Sequence, residues 1–89
     1  MSLQEILADI HALEEDILNF ERLYGIRSDA WYSVYASGEE PADDTWTLDF
    51  AEWASVYRTW LERQAHYRTE LQRLYPRSVS LYQHIRKAG

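Results

Sequence analysis

The chain has 89 residues, a net charge of −6, no cysteine, and four tryptophans within an aromatic content of 15%. That length predicts one domain with one modest core, and the missing thiols exclude a disulfide framework or thiolate metal site while suiting a reducing cytoplasm. No apolar run approaches the roughly 20 residues of a membrane span, and the opening MSLQEILADI carries acids where a secretory signal would carry Lys or Arg. A cytoplasmic protein with no membrane partner is therefore expected.

Ser2-Leu3-Gln4-Glu5 has the form of a capping box, in which a hydroxyl serves the N3 amide and a carboxylate reaches back. Leu3, Ile6, Ile10, Leu13, Ile17, Phe20 and Tyr24 then recur at alternating steps of three and four, a heptad seam on one helix face. Gly25 suits a left-handed stop, with Ile26 folding back on Phe20, so the first helix is predicted over 3–24. Ser28 is placed to cap a short second helix over 28–37, with Trp31, Val34 and Tyr35 on one face and Gly38 as its end. Residues 39–48, EEPADDTWTL, read as a loop.

Asp49 and Glu52 resemble a second box-like start, and the third helix is predicted over 49–75. Its seam is Phe50, Trp53, Tyr57, Trp60, Gln64, Tyr67, Leu71 and Leu74. Pro76 forces a break by pushing Tyr75 out of helical geometry. A last helix is predicted over 78–87, capped by Ser78, with Arg86 and Lys87 near its C-terminus. The whole reads as a single all-α domain, residues 1–89: an antiparallel two-helix hairpin with a short capping helix and a short C-terminal helix. In the expected register paired residue numbers add to 77, so that Leu3 meets Leu74, Leu13 meets Gln64, Ile17 meets Trp60, Phe20 meets Tyr57 and Tyr24 meets Trp53. Small aliphatics then face large aromatics. Beside the seam, Leu23 meets Val56 and Asp16 meets Arg63, but Asp9 meets Glu70, a like-charge clash. Gln64 is the lone polar residue of the seam, a type that commonly fixes register or oligomeric state.

Catalytic chemistry finds little support. His11, His66 and His84 are scattered, with no H-E-x-x-H pattern, so no metal site is expected. Asp43, Asp44, Asp49 and Glu52 fall in or beside a polar loop, whereas a general acid needs a carboxyl raised by burial. No phosphate-binding glycine loop or Ser/His/Asp set occurs, so neither enzyme nor cofactor is expected. Arg58, Arg63, Arg68 and Arg73 are five apart and spiral round a helix instead of forming one basic stripe. Nucleic acid is accordingly an unpromising partner for the isolated chain.

The charge is divided along the chain. Residues 1–52 hold thirteen carboxylates against Arg22 and Arg27, leaving −11, while residues 53–89 carry +5. Such a chain can fold one half against the other or offer an acidic face to a basic partner. Trp31, Tyr32, Tyr35 and Trp46 lie on a short helix and loop beside Glu39, Glu40, Asp43 and Asp44. Aromatics ringed by charge are the composition of a protein-binding hot spot, so these eight residues are the candidate partner-binding set. The same aromatics could instead form a lid over the hairpin's open end, and both roles stay open on the sequence.

The stretches FERLYGIRSDAWYSVYASGEE and LDFAEWASVY, within residues 20–57, resemble small helical antitoxin-like proteins of prokaryotic toxin–antitoxin pairs. The resemblance rests on Phe20, Tyr24-Gly25, Ser28, the aromatic pair Trp31-Tyr32, and the acidic stretch leading into Asp49-Phe50 and Glu52-Trp53. Trp31 stands where such relatives usually carry Phe, and this loop is longer and contains Pro41. The resemblance implies a cytoplasmic protein that neutralises a small, basic, often RNA-directed toxin, with acids of the loop occupying a basic groove. The alternative is a structural homo-oligomer, such as a homodimer, using the aromatic patch as its own subunit interface.

Overall fold

The computed structural model describes residues 1–87, excepting the side chains of residues 78–80, and the described residues form helices with no strand. Helix α1 spans Leu3–Tyr24, α2 Ser28–Ala36, α3 Thr47–Leu74 and α4 Ser78–His84, and a 3-10 turn at Asp44–Trp46 leads into α3. The capping box forms at the start of α1. The Ser2 hydroxyl accepts from the Glu5 amide at 3.2 Å and the Glu5 carboxylate accepts from the Ser2 amide at 3.5 Å. Gly25 ends α1 at φ 68°, a left-handed position favourable only to glycine. Ile26 does not fold away and stays exposed.

The other helix starts differ from expectation. Ser28 is the first residue of α2 and its hydroxyl caps nothing. The Glu21 carboxylate reaches across from α1 to accept from the Ser28 amide at 2.7 Å. Helix α3 begins two residues before Asp49 because Asp43 organises the entry, accepting from the Thr45 amide at 2.9 Å and hydroxyl at 2.7 Å. Asp49 is thereby inside the helix and turns to Tyr24. Helix α4 ends at His84, short of Arg86 and Lys87, and the expected Ser78 side-chain cap lies outside the described residues. The His84 ring returns to Tyr75, with Nδ1 2.9 Å from the phenol oxygen.

Along α1 the seven seam residues are buried or half-buried, as are those of α3 down to Leu71. The two helices run in opposite directions; the expected Tyr24–Trp53 layer is in contact, with centroids 5.7 Å apart, but the other side-chain pairs across the seam lie about one layer out of the expected register. Phe20 stacks on Trp53 with ring centroids 5.5 Å apart. Tyr24 donates to Asp49 at 2.5 Å, Trp60 Nε1 to Glu14 at 3.2 Å and Arg63 Nε to Asp9 at 3.4 Å. These partners' numbers add to between 72 and 74. The like-charge clash expected at Asp9 is absent: Asp9 pairs with Arg63, two turns before Glu70, and Glu70 pairs within α3 with Arg73 at 2.5 Å. By extension Gln64 falls opposite Ile10, and Leu74 passes beyond the end of α1, where it is 43% exposed. Leu23, expected to pack on Val56, is exposed as well.

The molecule is elongated, 50 × 29 × 20 Å with a radius of gyration of 16.5 Å, against roughly 12 Å for a compact chain of this length. Its accessible surface of 6775 Å² exceeds by about 1,300 Å² the roughly 5,500 Å² of a compact monomer of this mass. The interior has two parts, Trp31, Trp53 and Ala54 where α2 lies over α1 and α3, and Leu3, Ile6 and Ile10 at the start of α1, and the seam between them is half covered.

Candidate protein-docking site

Trp53, fully buried, is the centre of the aromatic end. Its indole stacks on Trp31 with centroids 3.9 Å apart and planes within 3°, and also stacks with Phe20 and Tyr24. Such offset aromatic pairs contribute about 0.5–1.5 kcal/mol each beyond the area they bury. Trp53 Nε1 donates to the Ser28 hydroxyl at 2.9 Å, which explains why that serine is buried and why it does not cap. A chain of contacts thus links Glu21 through Ser28 to Trp53. Trp31 Nε1, by contrast, is buried without an acceptor, a cost of about 1–3 kcal/mol that the stacking must exceed.

Tyr24 closes the other side of this cluster, edge-on to Phe50 and Trp46. Its hydrogen bond to Asp49, reinforced by burial and by the Asp49 and Asp43 charges, pushes its pKa up to about 12. The Tyr57 phenol, beneath Tyr32, is also raised, chiefly by burial and then by the Asp29 charge. Asp43 is lowered by its two bonds from Thr45, so it stays ionised as a local cap.

The eight expected partner-binding residues divide sharply. Trp31 is 5% exposed and spends its ring on Trp53, so it is part of the interior and not a surface anchor. Tyr32 and Tyr35 pack half-buried against the same cluster, and Trp46 rests half-buried on Tyr24 and Phe50. Glu39, Glu40, Asp43 and Asp44 are exposed. Tyr35 and Glu39 and Glu40 come together in a cleft of about 200 Å³, which Pro41 and Phe50 also line. Val34 on α2 and Leu48 at the start of α3, the latter 83% exposed, add apolar surface to this acidic end.

A larger cleft, about 460 Å³, opens on the flank of α2 and was not anticipated. Ile17, Leu18, Tyr57 and Trp60 give its apolar walls, and Glu14, Glu21 and Asp29 bring three carboxylates to it against the single cation Arg27. One signal for it was present in the sequence: Leu18, which lines it, is a leucine outside the heptad seam of α1 and is exposed.

Among the described residues no group of three His, Cys, Asp or Glu side chains converges to hold a metal ion, and no helix is long and apolar enough to cross a membrane. Comparison with protein-family models, curated proteins and solved structures returns no match for the chain.

Proposed function

We propose that the chain is a protein-interaction module of the cytoplasm: a hairpin of α1 and α3 closed at one end by α2, presenting its acidic end to a small basic protein. The supporting observation is the exposure of Glu39, Glu40, Asp43 and Asp44 around half-buried Tyr35 and Trp46. Carboxylates attract a basic partner over a Debye length, and the aromatic edges give it apolar area to desolvate. The specific form we favour, following the resemblance to antitoxin-like proteins, is neutralisation by occlusion, with the loop acids filling a basic groove that would otherwise hold RNA. The homo-oligomer reading loses support at this patch, because the ring with most to offer an interface, Trp31, is already stacked on Trp53.

The test is co-expression with the product of any small basic reading frame beside its gene, followed by binding kinetics at two ionic strengths. Replacing Glu39, Glu40 and Asp44 by their amides should slow association and flatten its salt dependence while leaving dissociation nearly unchanged. Unchanged association by a folded variant, at low salt, would remove the acidic loop from the interface.

A further inference from the structure

The cleft of about 460 Å³ on the flank of α2 has no part in the acidic-loop reading. We propose that it binds a linear aliphatic polyamine, at its simplest a diamine, with an ammonium group at each end of the cleft and the methylene chain between them on its apolar floor. This goes beyond the interaction-module reading and stands whether or not the loop has a partner.

The first support is shape. Small-molecule sites are mostly apolar clefts of about 300–1,000 Å³, and this one is within that range. Ile17 and Leu18 of α1 face Tyr57 and Trp60 of α3 across it. The two rings stack, with centroids 5.6 Å apart, and the Trp60 indole is fixed by its hydrogen bond to Glu14 at 3.2 Å. Aromatic walls suit a methylene chain, which leaves water on binding, and they attract ammonium groups through the negative face of the ring.

The second support is charge, which divides the cleft into two poles. Glu14 and Glu21 are seven residues apart on one face of α1, so their backbones are about 10 Å apart along the helix axis. Glu14 is tied to Trp60 on α3. Glu21 is tied to the start of α2, where it accepts from the Ser28 amide at 2.7 Å, and Asp29 joins it at that end. The Asp29 carboxylate in turn accepts from the Ala30 amide. All three donors are neutral and each engages one oxygen, so the carboxylates are oriented but keep their charge. Arg27 is the one cation at the cleft, 4.0 Å from Glu21 with its side chain 83% exposed, and it offsets one charge loosely. Three carboxylates against one guanidinium leave −2. The Tyr57 phenol, raised chiefly by burial, is raised further by the Asp29 and Glu21 charges, which shows that their field reaches the floor. A dication of matching length balances both poles. A monoamine reaches one of them, a short diamine cannot span the gap, and an anion is repelled.

The experiment titrates the full chain by calorimetry at low salt with three probes: diaminoheptane and diaminopropane, each with an amine at both ends, and heptylamine, with one. Diaminoheptane should bind with a Kd below about 1 mM, and the other two about tenfold or more weakly. Glu14→Gln keeps an acceptor for Trp60 but removes one pole, so diaminoheptane should fall to about the affinity of heptylamine. Arg27→Ala removes a competing, exposed cation and should tighten diaminoheptane by about threefold or more. The amide variant of Glu39, Glu40 and Asp44 should bind it like the parent chain, so failure of the acidic loop and failure of this cleft are read separately. No binding of diaminoheptane, equal binding of all three amines, an unchanged affinity in a folded Glu14→Gln variant, or loss of binding with the loop acids would each overturn the proposal.

Discussion

Removing the Ser28 hydroxyl tests whether the interior is organised around Trp53. In Ser28→Ala the backbone amide keeps its bond to Glu21, so the start of α2 is preserved, but Nε1 of the fully buried Trp53 loses its acceptor. An orphaned buried donor costs about 1–3 kcal/mol, from which the better helix propensity of alanine returns about 0.5 kcal/mol. The net loss should be about 1–2 kcal/mol, or a fall in Tm of about 4–8 °C for each kcal/mol in a domain of this size. The decisive quantity is the coupling. In a Trp53→Phe background the donor is gone, so Ser28→Ala should then cost nothing or stabilise slightly, giving an interaction energy of about 1–2 kcal/mol. Urea denaturation followed by circular dichroism measures all four corners of the cycle without relying on tryptophan emission. A coupling below about 0.3 kcal/mol would mean that the indole and the hydroxyl do not act together, and the account of why Ser28 is buried would fail.

The register is open to a direct test because the chain has no cysteine of its own: Asp9→Cys with Arg63→Cys should form a disulfide readily under mild oxidation, and Asp9→Cys with Glu70→Cys should not, whereas the opposite result would restore the register in which paired numbers add to 77. Trp60 is half-buried at the wall of the open cleft, so Trp60→Ala should cost about 1–2 kcal/mol, less than the 3–5 kcal/mol of an enclosed aromatic, and a melt showing the larger loss would place it in the interior. The Tyr24 phenol, held at about 12 against an ordinary 10, stabilises the fold fully below pH 10 and progressively less as pH rises through 12. Tyrosinate absorbance should therefore show a step near pH 12, and Tyr24→Phe should remove that step together with its share of the alkaline loss of stability, leaving the raised Tyr57 phenol in place.

The helices were legible in the sequence wherever one physical signal stood alone. The Ser2–Glu5 box, the heptad repeat of α1 and the Gly25 stop all depend on neighbours within a turn, and the structure realises each. The helix starts at Ser28 and Asp49 were misread because both residues have the chemistry of a cap but are claimed by distant partners, Trp53 and Tyr24. Local pattern cannot show a competitor twenty-five residues away. The register error had the same origin. Heptad seams repeat, so a slip by one layer preserves the apolar matches except at the ends, and the flanking charges carry most of the distinction between the alternatives. The Asp9–Glu70 clash carried that information. For the candidate site, the acids of residues 39–44 are exposed as their polarity suggested, while Trp31 could not be told from Trp46 by composition. What separates them is the position of α2 over Trp53.

The arrangement of aromatics has a consequence for how the acidic end can serve binding. Around Trp53 the rings of Trp31, Phe20, Tyr24 and Phe50 are mutually packed, and displacing any one of them exposes the others. That end behaves as a fixed platform, because close-packed interiors resist partial rearrangement. At the start of α1 a second buried group, Leu3, Ile6 and Ile10, closes the opposite end of the hairpin, so the half-buried layers at Leu13 and Ile17 lie between two closed ends. A partner that approaches the acidic loop therefore meets a surface whose geometry is already set. Loop binding should consequently show rigid, charge-steered kinetics, with association that slows as salt rises and dissociation that barely changes.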